Sequence, residues 1–112
     1  MVKTIQIDLD GVLNTYCGNY DENKISAPRK GVKEFLEKLA KNYQIEIFTV
    51  RNIALVEKWL IKNKLDKYIT NISNIKNPFS TVIIDDRAIR FDGNFDKTYE
   101  EVINFIPHWK TT

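Results

Sequence analysis

The sequence has a single cysteine, Cys17, and a single histidine, His108, among its 112 residues. One thiol excludes an internal disulfide framework and any zinc site of several cysteines, and it fits a reducing compartment. Cys17 sits in a polar stretch and reads as a bystander thiol, while His108, beyond Pro107 and without histidine or cysteine neighbours, reads as solvated. Long apolar runs are also missing: no stretch approaches the roughly 18 residues of a membrane span. Near the N-terminus Ile5, Ile7 and Leu9 are interrupted by Gln6 and Asp8, which is unlike the apolar core of a signal peptide. The expectation is a soluble, cytoplasmic protein with no membrane partner. Nor is there an excess of one charge, since 17 Lys and Arg face 15 Asp and Glu for a formal +2. No block of like charge signals nucleic acid.

What is present is an ordinary globular composition, 43% apolar, 29% charged and 12% aromatic, with only four Gly and three Pro. Disordered, collagen-like and mucin-like chains are excluded. A chain of this length hides about two-thirds of its unfolded surface, enough for one core, so residues 1–112 are expected to form one domain.

Residues 4–9 alternate, with Ile5, Ile7 and Leu9 on one face, which is strand periodicity. Residues 14–26 show no sustained period and read as a long loop, a candidate rim for a site. Val32, Phe35, Leu36 and Leu39 recur at helical spacing; residues 45–50 read as a second strand; Asn52 can cap a helix carrying Leu55, Val56, Trp59 and Leu60. Trp59 is expected in the core, and Trp109 as core, lid or oligomer contact. Residues 68–72 are a weaker strand and 74–80 a turn-rich connector. Residues 81–84 form an apolar run that reads as a buried strand. A short strand or hairpin is expected within 87–94. A capping box at Thr98 opens a last helix with Tyr99, Val102, Ile103 and Ile106 on its apolar stripe.

Strands alternating with helices imply an α/β domain with a mainly parallel sheet. The polarity of Lys3, Thr4 and Gln6 implies that one face of the first strand is thinly covered. In a parallel sheet all strands end on one edge, where ligands bind. Asp8 and Asp10 close the first strand, Thr49 the second, and Asp85 with Asp86 the late apolar strand. Two like charges about 4 Å apart cost on the order of 4 kcal/mol at an effective dielectric of 20, so such a cluster calls for a cation. All-oxygen ligation favours a hard ion such as Mg²⁺, which often holds a phosphate as well. Lys76, in the connector before the Asp85 strand, is placed to neutralise an incoming anion.

These residues resemble the haloacid dehalogenase superfamily of phosphotransferases. Asp8-Leu9-Asp10-Gly11-Val12-Leu13 looks like its opening motif, Thr49 after Ile45-Glu46-Ile47-Phe48 like the second, Lys76 the third, and Val82-Ile83-Ile84-Asp85-Asp86 the fourth. Thr49-Val50-Arg51 and the run from Asp85 to Phe91 further resemble small capless members. The resemblance implies a three-layer Rossmann-like domain with no separate cap domain. It implies a Mg²⁺-dependent phosphatase in which Asp8 is the nucleophile and Asp10 the general acid and base. Thr49, Arg51 and Lys76 would bind substrate, with Thr49 and Lys76 also counted as catalytic. Asp8, Asp10, Asp85 and Asp86 would serve the metal. The partner is then a phosphorylated substrate, and an open site leaves room for a second copy of the chain to cover it. Two rivals are a catalytically silent binding subunit of the same fold and a receiver-type phosphoacceptor domain. The order of the acidic residues and the threonine argues against the receiver.

Overall fold

The computed structural model describes residues 2–110. Four parallel strands, β1 (Lys3–Asp8), β2 (Tyr43–Phe48), β3 (Asn71–Ser73) and β4 (Val82–Ile84), form one sheet in the order β3-β2-β1-β4. Helix α1 (Val32–Ala40) joins β1 to β2 and α2 (Ile53–Lys62) joins β2 to β3. This is the α/β architecture with a parallel sheet that the alternation implied, and it is consistent with a Rossmann-like fold.

The register explains the core. Ile5 pairs with Ile45 and Ile7 with Ile47, so four β-branched side chains share one face of the two central strands. Val32 and Leu36 of α1 and Val56, Trp59 and Leu60 of α2 join the same buried cluster, together with Leu9, Leu13 and Leu65. Trp59 is core as expected, its indole N–H satisfied by the Ser26 carbonyl at 3.0 Å. The Asn52 cap forms, its side chain accepting from the Leu55 N–H at 3.2 Å.

The other face of β1 and β2 carries Gln6 and Glu46, both buried. Among the described residues, the connection that covers it contains no helix. The connection from β3 back to β4 is residues 74–81 alone, short for a parallel crossover, which ordinarily takes a dozen residues or more. Gln6 holds this connector against the sheet: its Nε2 donates to Glu46 Oε1 at 2.8 Å and to the Ile75 carbonyl at 3.0 Å, and its Oε1 accepts from the Asn77 N–H at 3.1 Å. Thin cover over this face was legible in the polarity of Gln6.

Three expectations are corrected. Residues 81–84 were read as a buried strand, yet β4 lies at the sheet edge and Val82 is 48% exposed. Residues 87–94 contain neither strand nor hairpin. The last helix, α3 (Phe95–Ile103), starts before Thr98 and is capped instead by Asn94, whose side chain accepts from the Lys97 N–H at 3.0 Å. None of its residues is buried, and Phe95, Tyr99, Val102 and Ile103 are exposed. The stripe on α3 therefore adds nothing to the core.

Candidate active site

The chain order β1, β2, β3 runs one way across the sheet, and β4 returns to the far side of β1. The reversal point lies at the β1–β4 boundary, where a crevice opens beyond the strand ends. Ile7 pairs with Ile84, so the next residues, Asp8 and Asp85, leave adjacent strands side by side. Asp8 also pairs with Phe48, which carries Thr49 to the same edge. A cavity of about 660 Å³ opens there, lined by Asp8, Asp10, Tyr16, Tyr20, Phe48, Thr49, Val50, Asp85 and Arg87.

Asp8, Asp85 and Asp86 each bring a carboxylate oxygen within 4.8 Å of the other two. Burial and crowding together shift the protonation of this trio. Burial, then a hydrogen bond with Asp86, then the charges of Asp85, Asp86 and Asp10 push the Asp8 carboxyl up from 3.8 to about 8. Burial pushes Asp86 in the same direction, but hydrogen bonds from the Trp109 indole and from Asp8 and Asp85 outweigh it and hold Asp86 below the usual carboxylate range. Without a cation, then, Asp8 retains a proton that relieves the repulsion. Asp86 is only 9% exposed, and its buried Oδ1 takes no hydrogen bond from an N–H or hydroxyl group among the described residues. An all-oxygen trio with an orphaned carboxylate oxygen fits a hard divalent ion.

Asp10 points into a different set of contacts. Arg51 donates to it twice, Nε to Oδ2 at 2.8 Å and Nη2 to Oδ1 at 3.0 Å. Asn14 Nδ2 adds a third bond to Oδ1 at 3.0 Å, while Asn14 Oδ1 accepts from the Gly11 and Tyr16 N–H groups. The Arg51 guanidinium also donates to the Asp21 carbonyl at 2.6 Å and lies 4.5 Å from the Tyr20 ring centroid. Residues 14–26 thus form the rim expected of them. Burial lowers the Arg51 pKa, but the bonds and charge of Asp10 outweigh it and raise it further. Arg51 is 3% exposed and is not among the residues lining this cavity; its guanidinium is engaged by Asp10. Thr49 Oγ1 accepts from the Arg51 N–H at 3.1 Å, which leaves the hydroxyl proton for another acceptor.

Lys76 is not brought to the site. It is exposed on the β3–β4 connector, whose backbone is fixed to Gln6 on either side of it, and it does not line the cavity. Arg87 does line it, with its backbone N–H donating to Asp85 Oδ1 at 2.9 Å.

Sequence reasoning missed Asn14, Trp109 and His108. Trp109 Nε1 donates to Asp86 Oδ2, its ring meets Tyr16 edge-on at 5.4 Å, and His108 Nε2 lies 2.6 Å from the Gly11 carbonyl. His108 is exposed, as expected, while its ring makes this contact with Gly11. Asn14, four residues after Asp10, was detectable only by spacing, and nothing local marked Trp109.

Searches against protein-family models, curated proteins and solved structures return no match. Among the described residues, no helix is long and apolar enough to cross a membrane.

Proposed function

We propose that the chain is a Mg²⁺-dependent phosphomonoester hydrolase of the haloacid dehalogenase type, acting through Asp8. The observation that carries this reading is the convergence of Asp8, Asp85 and Asp86 within 4.8 Å of one another, beside a cavity whose lining includes Asp8, Asp10, Thr49 and Asp85. In this reading Asp8, Asp85 and Asp86 hold the ion, and Asp10 lies beside them. The ion supplies positive charge that keeps Asp8 ionised and offsets the phosphoryl oxygens.

An Asp8 carboxylate oxygen attacks phosphorus, the bond from phosphorus to the ester oxygen breaks, and Asp10 gives its proton to the departing alcohol. Water then attacks the aspartyl-phosphate, Asp10 takes a proton from that water, and phosphate leaves with Asp8 regenerated. The two-pronged grip of Arg51 fixes the orientation of the Asp10 carboxylate beside the reacting groups. The free hydroxyl proton of Thr49 suits a phosphoryl oxygen. Lys76 was the expected counter-cation, but Arg87 is the basic residue that lines the cavity, and in this reading it takes that part. The mechanism needs no third helical layer, because every group in it lies at the strand ends. The single cysteine suits a cytoplasmic setting, and the openness of the cavity leaves a second copy of the chain as a cover.

The test is hydrolysis of p-nitrophenyl phosphate with Mg²⁺ by the wild type and by Asp8→Asn. The expected result is turnover in the wild type and a loss of at least about 10³-fold in the variant. Surviving activity in Asp8→Asn refutes the mechanism. No turnover in the wild type favours a silent binding subunit, and a single slow self-dephosphorylation favours the receiver-type rival.

A further inference from the structure

We propose that Trp109 is a positioning residue for Asp86, orienting that carboxylate so that its Oδ1 is the atom offered to a divalent ion. The proposal rests on the reading above that Asp8, Asp85 and Asp86 hold such an ion. It adds a residue 23 positions beyond Asp86 in sequence that no motif assigns.

A carboxylate has two oxygens and can rotate, so binding an ion with one of them requires something to hold the other. The indole N–H is a donor that cannot accept, and here it is directed at Asp86 Oδ2. Oδ1, by contrast, is buried and takes no hydrogen bond from an N–H or hydroxyl group among the described residues. Leaving a buried charged acceptor unpaired is unfavourable, and a cation among Asp8, Asp85 and Asp86 relieves it. The two oxygens of Asp86 therefore have different occupations, and Trp109 is what separates them.

The indole is itself held. Its ring packs edge-on against Tyr16 with centroids 5.4 Å apart and lies 3.5 Å from where a side chain at Gly18 would begin. The preceding residue, His108, is tied through Nε2 to the Gly11 carbonyl at 2.6 Å. Gly11 has φ +87°, and a Cβ there would fall 2.2 Å from Asp86 Oδ2 and 2.9 Å from Trp109 Nε1. The absence of a side chain in the Asp10-Gly11 turn is what lets the indole and the carboxylate meet. Gly11, Trp109 and Asp86 form one packed unit behind the cavity.

The experiment compares wild type with Trp109→Phe, which keeps a ring against Tyr16 and removes only the N–H. Mg²⁺ is titrated calorimetrically into each, and the indole N–H resonances of the wild type are followed by NMR during the same titration. The expected result is Mg²⁺ affinity at least about tenfold weaker in Trp109→Phe with its circular dichroism unchanged. In the wild type, the Trp109 indole resonance moves with Mg²⁺ while that of Trp59, bonded to Ser26, stays. A folded Trp109→Phe that binds Mg²⁺ as tightly as wild type overturns the proposal and leaves the metal reading standing. A wild type that takes up no Mg²⁺ overturns both. If Trp109→Phe fails to fold, the wild-type spectra decide: backbone shifts at Asp85 and Asp86 without a shift of the Trp109 indole overturn it, and the three moving together support it.

Discussion

Arg51 meets Asp10 through two parallel hydrogen bonds, Nε to Oδ2 at 2.8 Å and Nη2 to Oδ1 at 3.0 Å, with its side chain all but removed from water. A planar guanidinium matches a carboxylate in this way and an ammonium does not. The same guanidinium reaches the Asp21 carbonyl, so it joins the Asp10 turn to the loop that rims the cavity.

Arg51→Lys is accordingly expected to be far from conservative. It keeps the charge but loses the fork, and on the proposed function hydrolysis of p-nitrophenyl phosphate should fall at least about tenfold with modest loss of stability. Arg51→Met leaves Asp10 without its counter-charge and should cost about 3–5 kcal/mol in urea denaturation. Wild-type activity in Arg51→Lys would count against the positioning of Asp10 by this pair.

Gly11 and Gly31 make a controlled comparison, because both have φ near +90° but differ in what surrounds them. At Gly31 an added Cβ meets nothing within 4 Å, so Gly31→Ala should cost only the backbone strain, about 1–2 kcal/mol. At Gly11 the same strain is joined by collision with Asp86 and Trp109. Gly11→Ala should lose clearly more stability than Gly31→Ala by chemical denaturation, and only Gly11→Ala should weaken Mg²⁺ binding. Equal losses at the two positions would show that the contacts behind Gly11 carry no weight.

The proton on Asp8 makes stability depend on pH in a stated direction. Its folded pKa of about 8 lies above the ordinary 3.8, so the folded protein keeps a proton that the unfolded chain has released. Stability is full at the acid end of that interval and is lost as pH rises towards 8. Asp86, whose pKa is lowered, acts only at more acid pH, so of these two carboxylates Asp8 governs the range from 3.8 to about 8. In EDTA the melting temperature should fall across that range, and Asp8→Asn should flatten the fall. Saturating Mg²⁺ should oppose it, adding about 2.7 kcal/mol at a hundredfold excess over Kd. A melting temperature that is flat with pH in EDTA would be at odds with the crowding described for Asp8.

The parts of the fold legible in the sequence were those governed by a local period. The alternation of Ile5 and Ile7, and the helical spacing of Val32 with Leu36 and of Val56 with Trp59 and Leu60, each record a face turned to one core. The meeting of Asp8 and Asp85 was legible for a related reason, since adjacent parallel strands end on one edge. What failed depended on contacts between distant segments. Residues 81–84 look like a buried strand because nothing in Val82-Ile83-Ile84 says how many neighbours the strand will have. Tyr99, Val102 and Ile103 are spaced for a core that α3 never meets. Lys76 lies in the right interval of sequence, but two backbone bonds to Gln6 fix the connector around it. Trp109 carries no local pattern at all.

The bond between His108 and Gly11 spans 97 positions of the chain. A polypeptide emerging from the ribosome has its first acidic turn long before it has the indole that packs behind it. Translation must pass Trp109 before Asp86 can settle, so the acidic crevice cannot mature until long after its first carboxylates have been made.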